Sequence, residues 1–204
     1  MKKENIKAAL FDLDGVVFDT EPQYTLFWGG IMHRYFPGQS ELAVKIKGST
    51  LTQIYDRYFG DRPYEQENIT KELDAFEHDM HFDYIPGFED FIKSLKANGV
   101  KTAVVTSSNV PKMENVYRKH PEFKSYFDEI LTSEDFKESK PSPDCYLTAA
   151  CRFNIEQKDC VVFEDSFNGL KSGKAAEMYV VGLATTNSPE DIKPFCDEVI
   201  KDYK

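Results

Sequence analysis

Apolar residues fall along the chain in two regimes. Ile6 to Phe11 (IKAALF) is a short apolar run closed by Asp12. That is the pattern of a strand buried on both faces of a parallel sheet. From Glu21 to Asp83 the character changes: Tyr, Phe, Glu and Asp dominate, and no run reads as a buried strand. Helices are predicted there near 22–35, 51–59 and 66–80, the third with Asn68 as an alternative start and an acidic first turn that suits the helix dipole. Pro37-Gly38 and Arg62-Pro63 read as loops. Beyond Pro86-Gly87 strand and helix alternate. Helices are predicted at Phe88–Ala97, near 111–119, at Pro143–Phe153, at Asn168–Ala176 and just after Ser188-Pro189. Strands are predicted at Lys101–Val105, Glu129–Leu131, Asp159–Phe163, Met178–Leu183 and near Glu198–Ile200. The alternation specifies an α/β fold with a Rossmann-like parallel sheet, interrupted after its first strand by a small helical insertion. We therefore expect a core of residues 1–18 and 86–204 and a helical cap of residues 19–85.

Composition narrows the function. The 204 residues include 25 Lys and Arg against 35 Asp and Glu, a net charge of −10. No basic footprint for nucleic acid is present, and an acidic chain does not suit an anionic membrane surface. No apolar run approaches the ~20 residues of a membrane-spanning helix. The run after Met1-Lys2-Lys3 is too short for a secretory signal, so a cytoplasmic protein is expected. Four cysteines, Cys145, Cys151, Cys160 and Cys196, lack Cys-x-x-Cys spacing and read as free buried thiols. His33, His78, His81 and His120 match no ligand spacing. A monomer is the default expectation.

Ligands of parallel α/β sheets bind at the carboxyl ends of strands, and there the polar residues concentrate. The first strand runs into Asp12-Leu13-Asp14-Gly15 and the second into Thr106-Ser107-Ser108-Asn109. Lys140 precedes a helix in Ser139-Lys140-Pro141, and the fourth strand ends in Glu164-Asp165-Ser166. Taken singly, each has an ordinary structural explanation: Asp-x-Asp-Gly as a turn, Glu164-Asp165-Ser166 or Thr106–Asn109 as helix caps. Taken together, in this order, they suit phosphoryl transfer. A carboxylate such as Asp12 can act as nucleophile. Mg²⁺ takes oxygen ligands, and Asp12 and Asp165 could hold it with Glu164 beside them. Asp14 could serve as general acid and base. Thr106 could bond a phosphate oxygen, and Lys140 would neutralise the carboxylates and the phosphate.

These segments resemble the four motifs of the haloacid dehalogenase superfamily: Phe11–Pro22, Val104–Ser108, Ser139–Asp144 and Val162–Gly169. The insertion after the first motif is similar to the small helical cap of that superfamily's β-phosphoglucomutase-like branch. The resemblance implies an aspartyl-phosphate on Asp12, acid–base work by Asp14, and Thr106 and Lys140 on the transferring phosphoryl group. It also implies Mg²⁺ held by Asp12, the Asp14 backbone carbonyl and Asp165, with Glu164 in support. The second aspartate, Asp14, favours phosphoryl transfer over dehalogenation.

The substrate is then a small phosphate ester, and the cap must supply specificity. Candidate substrate-binding residues are Thr20, Glu21, Tyr24, Lys47, Gly48 and Ser49, with Ser107, Ser108 and Asn109 on the core. Trp28 is a further candidate to face the cleft, although at helical spacing it and Phe27 read first as cap core; Glu65-Gln66-Glu67 reads as solvated helix face. Mutases of this branch place a His where this chain has Tyr24 and an Arg near Leu51. Their absence favours a phosphatase for a small phosphorylated sugar or polyol over a β-phosphoglucomutase-type transferase, which stands as the alternative.

Overall fold

The computed structural model describes residues 5–46 and 49–204. Six parallel strands form one sheet: β1 (Ala8–Phe11), β2 (Lys101–Val105), β3 (Glu129–Leu131), β4 (Cys160–Glu164), β5 (Tyr179–Leu183) and β6 (Glu198–Ile200). Their order across the sheet is β3-β2-β1-β4-β5-β6. The first strand thus lies in the middle, with Phe11 in register with Val104 on one side and Phe163 on the other.

Alternation along β1 divides the core. Ala9 and Phe11 join Phe88, Ile92, Met113 and Val116 on one face. Ala8 and Leu10 join Cys145, Tyr146, Ala149 and Leu170 on the other. The covering residues come from α5 (Phe88–Ala97) and α6 (Val110–Lys119) on the first face. On the second they come from α7 (Asp144–Phe153) and α8 (Phe167–Ala175). Strands with both faces covered are apolar at most positions, which is why the central ones read as nearly unbroken runs.

Between β1 and α5 lie α1 (Glu21–Tyr35), α2 (Leu42–Lys45), α3 (Leu51–Tyr58) and α4 (Pro63–Asp79). They enclose their own apolar cluster around Trp28, Ile31, Met32, Ile54, Phe59 and Ile69. Two chain crossings join this helical layer to the sheet, and they pair with each other. Asp19 N–H donates to the Asp83 carbonyl (2.8 Å) and Ile85 N–H to the Val17 carbonyl (2.9 Å). Phe18 and Tyr84 form an antiparallel bridge with stacked rings.

Several boundaries differ from the sequence expectation for physical reasons. Arg62-Pro63, expected as a loop, opens α4, because proline at the first helical position needs no N–H partner. The four-residue α2 is too short to show a period. Strand β1 begins at Ala8 instead of Ile6, although the Lys7 backbone still bonds Asp159 and Lys101. Among the cysteines expected to be buried, Cys151 is exposed; all four are free thiols.

The chain leaves β1 toward β2 and β3, then returns to β4 on the opposite flank of β1. The crevice at this reversal opens at the carboxyl ends of β1 and β4. The Asp12 N–H donates to the Phe163 carbonyl (3.0 Å) there, so the two acidic segments start side by side.

Candidate active site

Lys140 is the hub of the crevice. Its Nζ donates to Asp12 Oδ1 (2.7 Å), Glu164 Oε1 (2.7 Å) and the Val105 carbonyl (3.0 Å). All three donors of the ammonium are used, which a buried charge requires. Burial alone would lower the lysine's pKa, but the carboxylates of Asp12 and Glu164 outweigh it and hold Lys140 well above its ordinary value. Thr106, buried beside it, lines the same cleft, and its Oγ1 accepts from the Ser108 N–H (3.0 Å).

Glu164 is fully buried and saturated. Oε1 accepts from Lys140 and from the Tyr146 hydroxyl (2.9 Å). Oε2 accepts from the N–H groups of Asp165 (3.0 Å) and Ser166 (3.2 Å) and from Ser166 Oγ (3.2 Å). The carboxyl also packs flat on the first turn of α8, where Gly169 is the residue against it; a Cβ there would overlap it. This geometry suits bracing of Lys140 more than free ligation.

Asp12, Glu164 and Asp165 each present a carboxylate oxygen, all within 4.8 Å of one another. Burial pushes Asp12 up to about 7, with Lys140 opposing and Glu164 and Asp14 adding to the rise. Asp165 is likewise raised, first by burial and then by Glu164 and Asp12. Carboxylates crowded out of water in this way gain from a cation. A hard, all-oxygen donor set fits Mg²⁺. Glycine at position 15, with φ of +71°, makes the room: a Cβ there would collide with the Asp165 carboxyl.

The loop after β5 closes this side. Thr186 Oγ1 donates to Asp165 Oδ2, Asn187 Nδ2 to the Asp165 carbonyl (2.9 Å), and Thr185 Oγ1 to the Gly15 carbonyl (2.6 Å). Sequence reasoning missed these residues. Their signal was there, since Thr185-Thr186-Asn187 follows a strand end just as the Asp12, Thr106 and Glu164 segments do.

Asp14 is held by three side-chain donors. Oδ1 accepts from Thr20 Oγ1 (2.6 Å); Oδ2 accepts from Ser108 Oγ (3.3 Å) and pairs with Lys112 Nζ. Thr20, expected to bind substrate, is instead fully buried: its hydroxyl turns inward to Asp14, leaving none of it for the cleft. Lys112 was not anticipated, because within α6 a lone lysine reads as solvated face. It is only 4% exposed, and its ammonium lies 4.7 Å from the centre of the Tyr24 ring.

A cleft of about 480 Å³ joins these groups to the helical layer. Glu21, Tyr24, Trp28 and Ser49 line it, as do Ser107, Ser108 and Asn109. Trp28 serves the cap cluster as expected and borders the cleft as well. The Tyr24 hydroxyl donates to Glu77 Oε1 (2.7 Å). Asn109 Oδ1 accepts from the Lys112 N–H (3.0 Å), so its amide caps α6. Lys47 and Gly48 lie outside the described residues. Gln53 bridges the cleft: its Nε2 donates to the Lys140 carbonyl (3.2 Å) while its Oε1 accepts from the Thr50 N–H (2.9 Å).

The chain is 30% identical over 202 residues to a bifunctional riboflavin kinase/FMN phosphatase of Arabidopsis thaliana. That match covers 96% of this chain and 51% of the plant protein, so the chain spans about half of that relative's length. It is 29% identical over 183 residues to a phosphorylated carbohydrates phosphatase of Thermotoga maritima, covering 84% of this chain and 82% of that one. Among solved structures, a β-phosphoglucomutase of Clostridium difficile superposes with a TM-score of 0.74 at 25% identity, covering 97% of this chain and 92% of that one. The family model for haloacid dehalogenase-like hydrolases matches residues 9–183. On the strength of that match, which takes in all four strand-end motifs, the chain belongs to the haloacid dehalogenase-like hydrolase family.

Proposed function

We propose that the protein is a Mg²⁺-dependent phosphatase that hydrolyses a small phosphorylated sugar or polyol through an aspartyl-phosphate on Asp12. The observation that carries this reading is the Lys140 hub. One buried ammonium is bonded at once to Asp12 and to Glu164, beside Asp165, at the sheet's reversal point. A nucleophile, its counter-charge and an oxygen-rich cation site meet within a few ångströms there.

In the first half-reaction an Asp12 carboxylate oxygen attacks phosphorus, the bond to the leaving oxygen breaks, and Asp14 gives that oxygen its proton. In the second, Asp14 takes a proton from water, the water oxygen attacks phosphorus, and the Asp12–phosphorus bond breaks to release phosphate. Thr106 donates its hydroxyl to a phosphoryl oxygen, and the Lys140 ammonium, bonded to Asp12, supplies the positive charge that offsets the phosphoryl group. Asp12, Asp165 and the Asp14 backbone carbonyl would hold the Mg²⁺, which when bound shields the attacking carboxylate from the substrate's negative charge. Glu164 braces Lys140. Closure of the helices between β1 and α5 excludes bulk water and supplies specificity through Glu21, Tyr24 and Ser49. Relatives named as phosphatases, one of them for phosphorylated carbohydrates, support the substrate class.

The test is a panel of phosphate monoesters assayed for both free phosphate and isomerised sugar, with Mg²⁺ and with chelator. Asp12→Asn should abolish turnover and leave the melting transition intact. Near-normal phosphate release by that variant sinks the reading, and isomerisation of β-glucose 1-phosphate without phosphate release would replace it with a mutase.

A further inference from the structure

The charge network around Lys112 is not needed to build the phosphoryl site, yet it is buried and reaches both layers of the molecule. From the core side, Lys112 Nζ pairs with Asp14 Oδ2. From the helical layer, the Tyr24 ring of α1 lies 4.7 Å away. The Tyr24 hydroxyl is bonded to Glu77 of α4, whose carboxylate lies within electrostatic reach of the same ammonium. Glu77 is itself buried, on the inner face of its helix with Ile69 and Leu73. A lysine placed this deep loses water on every side. The groups that compensate it come from both layers: Asp14 from the core, Tyr24 and Glu77 from the helices whose closure the phosphatase reading calls for. Were those helices to lift, Tyr24 and Glu77 would leave with them and the Asp14 pair would stay.

We propose that Lys112 is a positioning residue for Asp14, and that Tyr24 and Glu77 make this positioning depend on closure over the cleft. Thr20 fixes one oxygen of Asp14 and Lys112 the other, so the carboxyl plane is set from both ends. Closure desolvates Lys112 against Tyr24 and sharpens its grip on Asp14. The alignment of the acid–base group is then completed by the same motion that encloses the substrate. The inference rests on the phosphatase reading.

The experiment compares two leaving groups. An alkyl monophosphate needs a proton from Asp14 to depart; p-nitrophenyl phosphate does not. The quantity kcat/KM reports the steps through phosphoryl transfer to Asp12. Lys112→Met should lower it by about 10²-fold for the alkyl ester, the scale of a small misplacement, and by less than about threefold for p-nitrophenyl phosphate. The kcat for both should fall, because both share the water step. Lys112→Arg should recover part of the alkyl activity. Glu77→Gln keeps an acceptor for Tyr24 and should give a smaller loss of the same kind, non-additive with Lys112→Met. Equal losses of kcat/KM on both esters, no loss at all, or additive losses would overturn the proposal. If Lys112→Met does not fold, Lys112→Arg and Glu77→Gln carry the same comparison. Wild-type protein inert toward both esters would remove the phosphatase reading and the proposal with it. An active wild type with uniform losses in the variants removes the proposal alone.

Discussion

Glycine inside a helix is usually a weak point, and Gly169 sits in the first turn of α8. Replacing an interior glycine with alanine gains about 1 kcal/mol of helix propensity. At Gly169 the structure reverses that expectation. An added Cβ would fall closer than 3.0 Å to all three terminal atoms of the Glu164 carboxyl. Glu164 cannot swing aside cheaply, because both its oxygens are committed to Lys140, Tyr146, Asp165 and Ser166. Overpacking alone costs about 1–3 kcal/mol, and loosening the buried pair with Lys140 adds about 2 kcal/mol, part of the roughly 3–5 kcal/mol that losing one partner outright costs. Against the propensity gain, Gly169→Ala should destabilise the fold by about 2–4 kcal/mol, which for a chain this long is a drop of about 5–15 °C in Tm. Phosphatase activity should fall with it, since Lys140 loses its brace. Gly29→Ala is the control. A Cβ at Gly29, inside α1, meets nothing within 4 Å, so propensity alone should raise Tm by about 2–4 °C. Thermal melts and kcat on the same preparations decide the matter. A Gly169→Ala protein that melts higher than wild type with full activity would refute the account of Glu164.

Mg²⁺ should raise Tm in a concentration-dependent way, because only the folded chain gathers Asp12 and Asp165; Asp165→Asn should remove that rise, and a shift that persists would place the cation elsewhere. The Tyr203 hydroxyl is sealed from solvent without a hydrogen-bond partner among the described residues, while its ring stacks on Phe91. Tyr203→Phe should therefore be neutral or stabilising by about 1 kcal/mol in denaturant unfolding, and a clear loss would reveal a partner for that hydroxyl. Burial raises the Glu77 pKa from 4.5, with Lys112 pulling the other way. A raised acid contributes stability that is complete below its unfolded value and is lost as pH rises through the folded one. Melts of wild type against Glu77→Gln should thus favour glutamine increasingly as pH rises from roughly 4 to 8, and a difference flat in pH would contradict the assignment.

The parallel sheet was legible because strands covered on both faces are apolar at most positions, and Asp12, Thr106 and Glu164 stand out where such runs stop. Lys140 was legible only through its neighbours in the motif, since nothing in Ser139-Lys140-Pro141 itself says that the ammonium turns inward. Thr20 and Lys112 were not legible. Whether a hydroxyl at a helix cap or an ammonium in a helix's first turn faces water or a carboxylate depends on how the helical layer docks, and no local pattern encodes that. The same limit explains Glu77, which sits on a helix otherwise rich in solvated charge.

Gln53 carries a consequence for the kinetics of opening. Its amide already belongs to the capping box of α3 before it reaches Lys140, because its Oε1 holds the Thr50 N–H and its N–H holds Thr50 Oγ1. Freezing a free glutamine side chain costs up to about 2 kcal/mol of conformational entropy. Here the helix start has frozen it in advance, so the latch across the cleft forms without ordering a new side chain. Fraying of α3 and release of this bond across the cleft become one event.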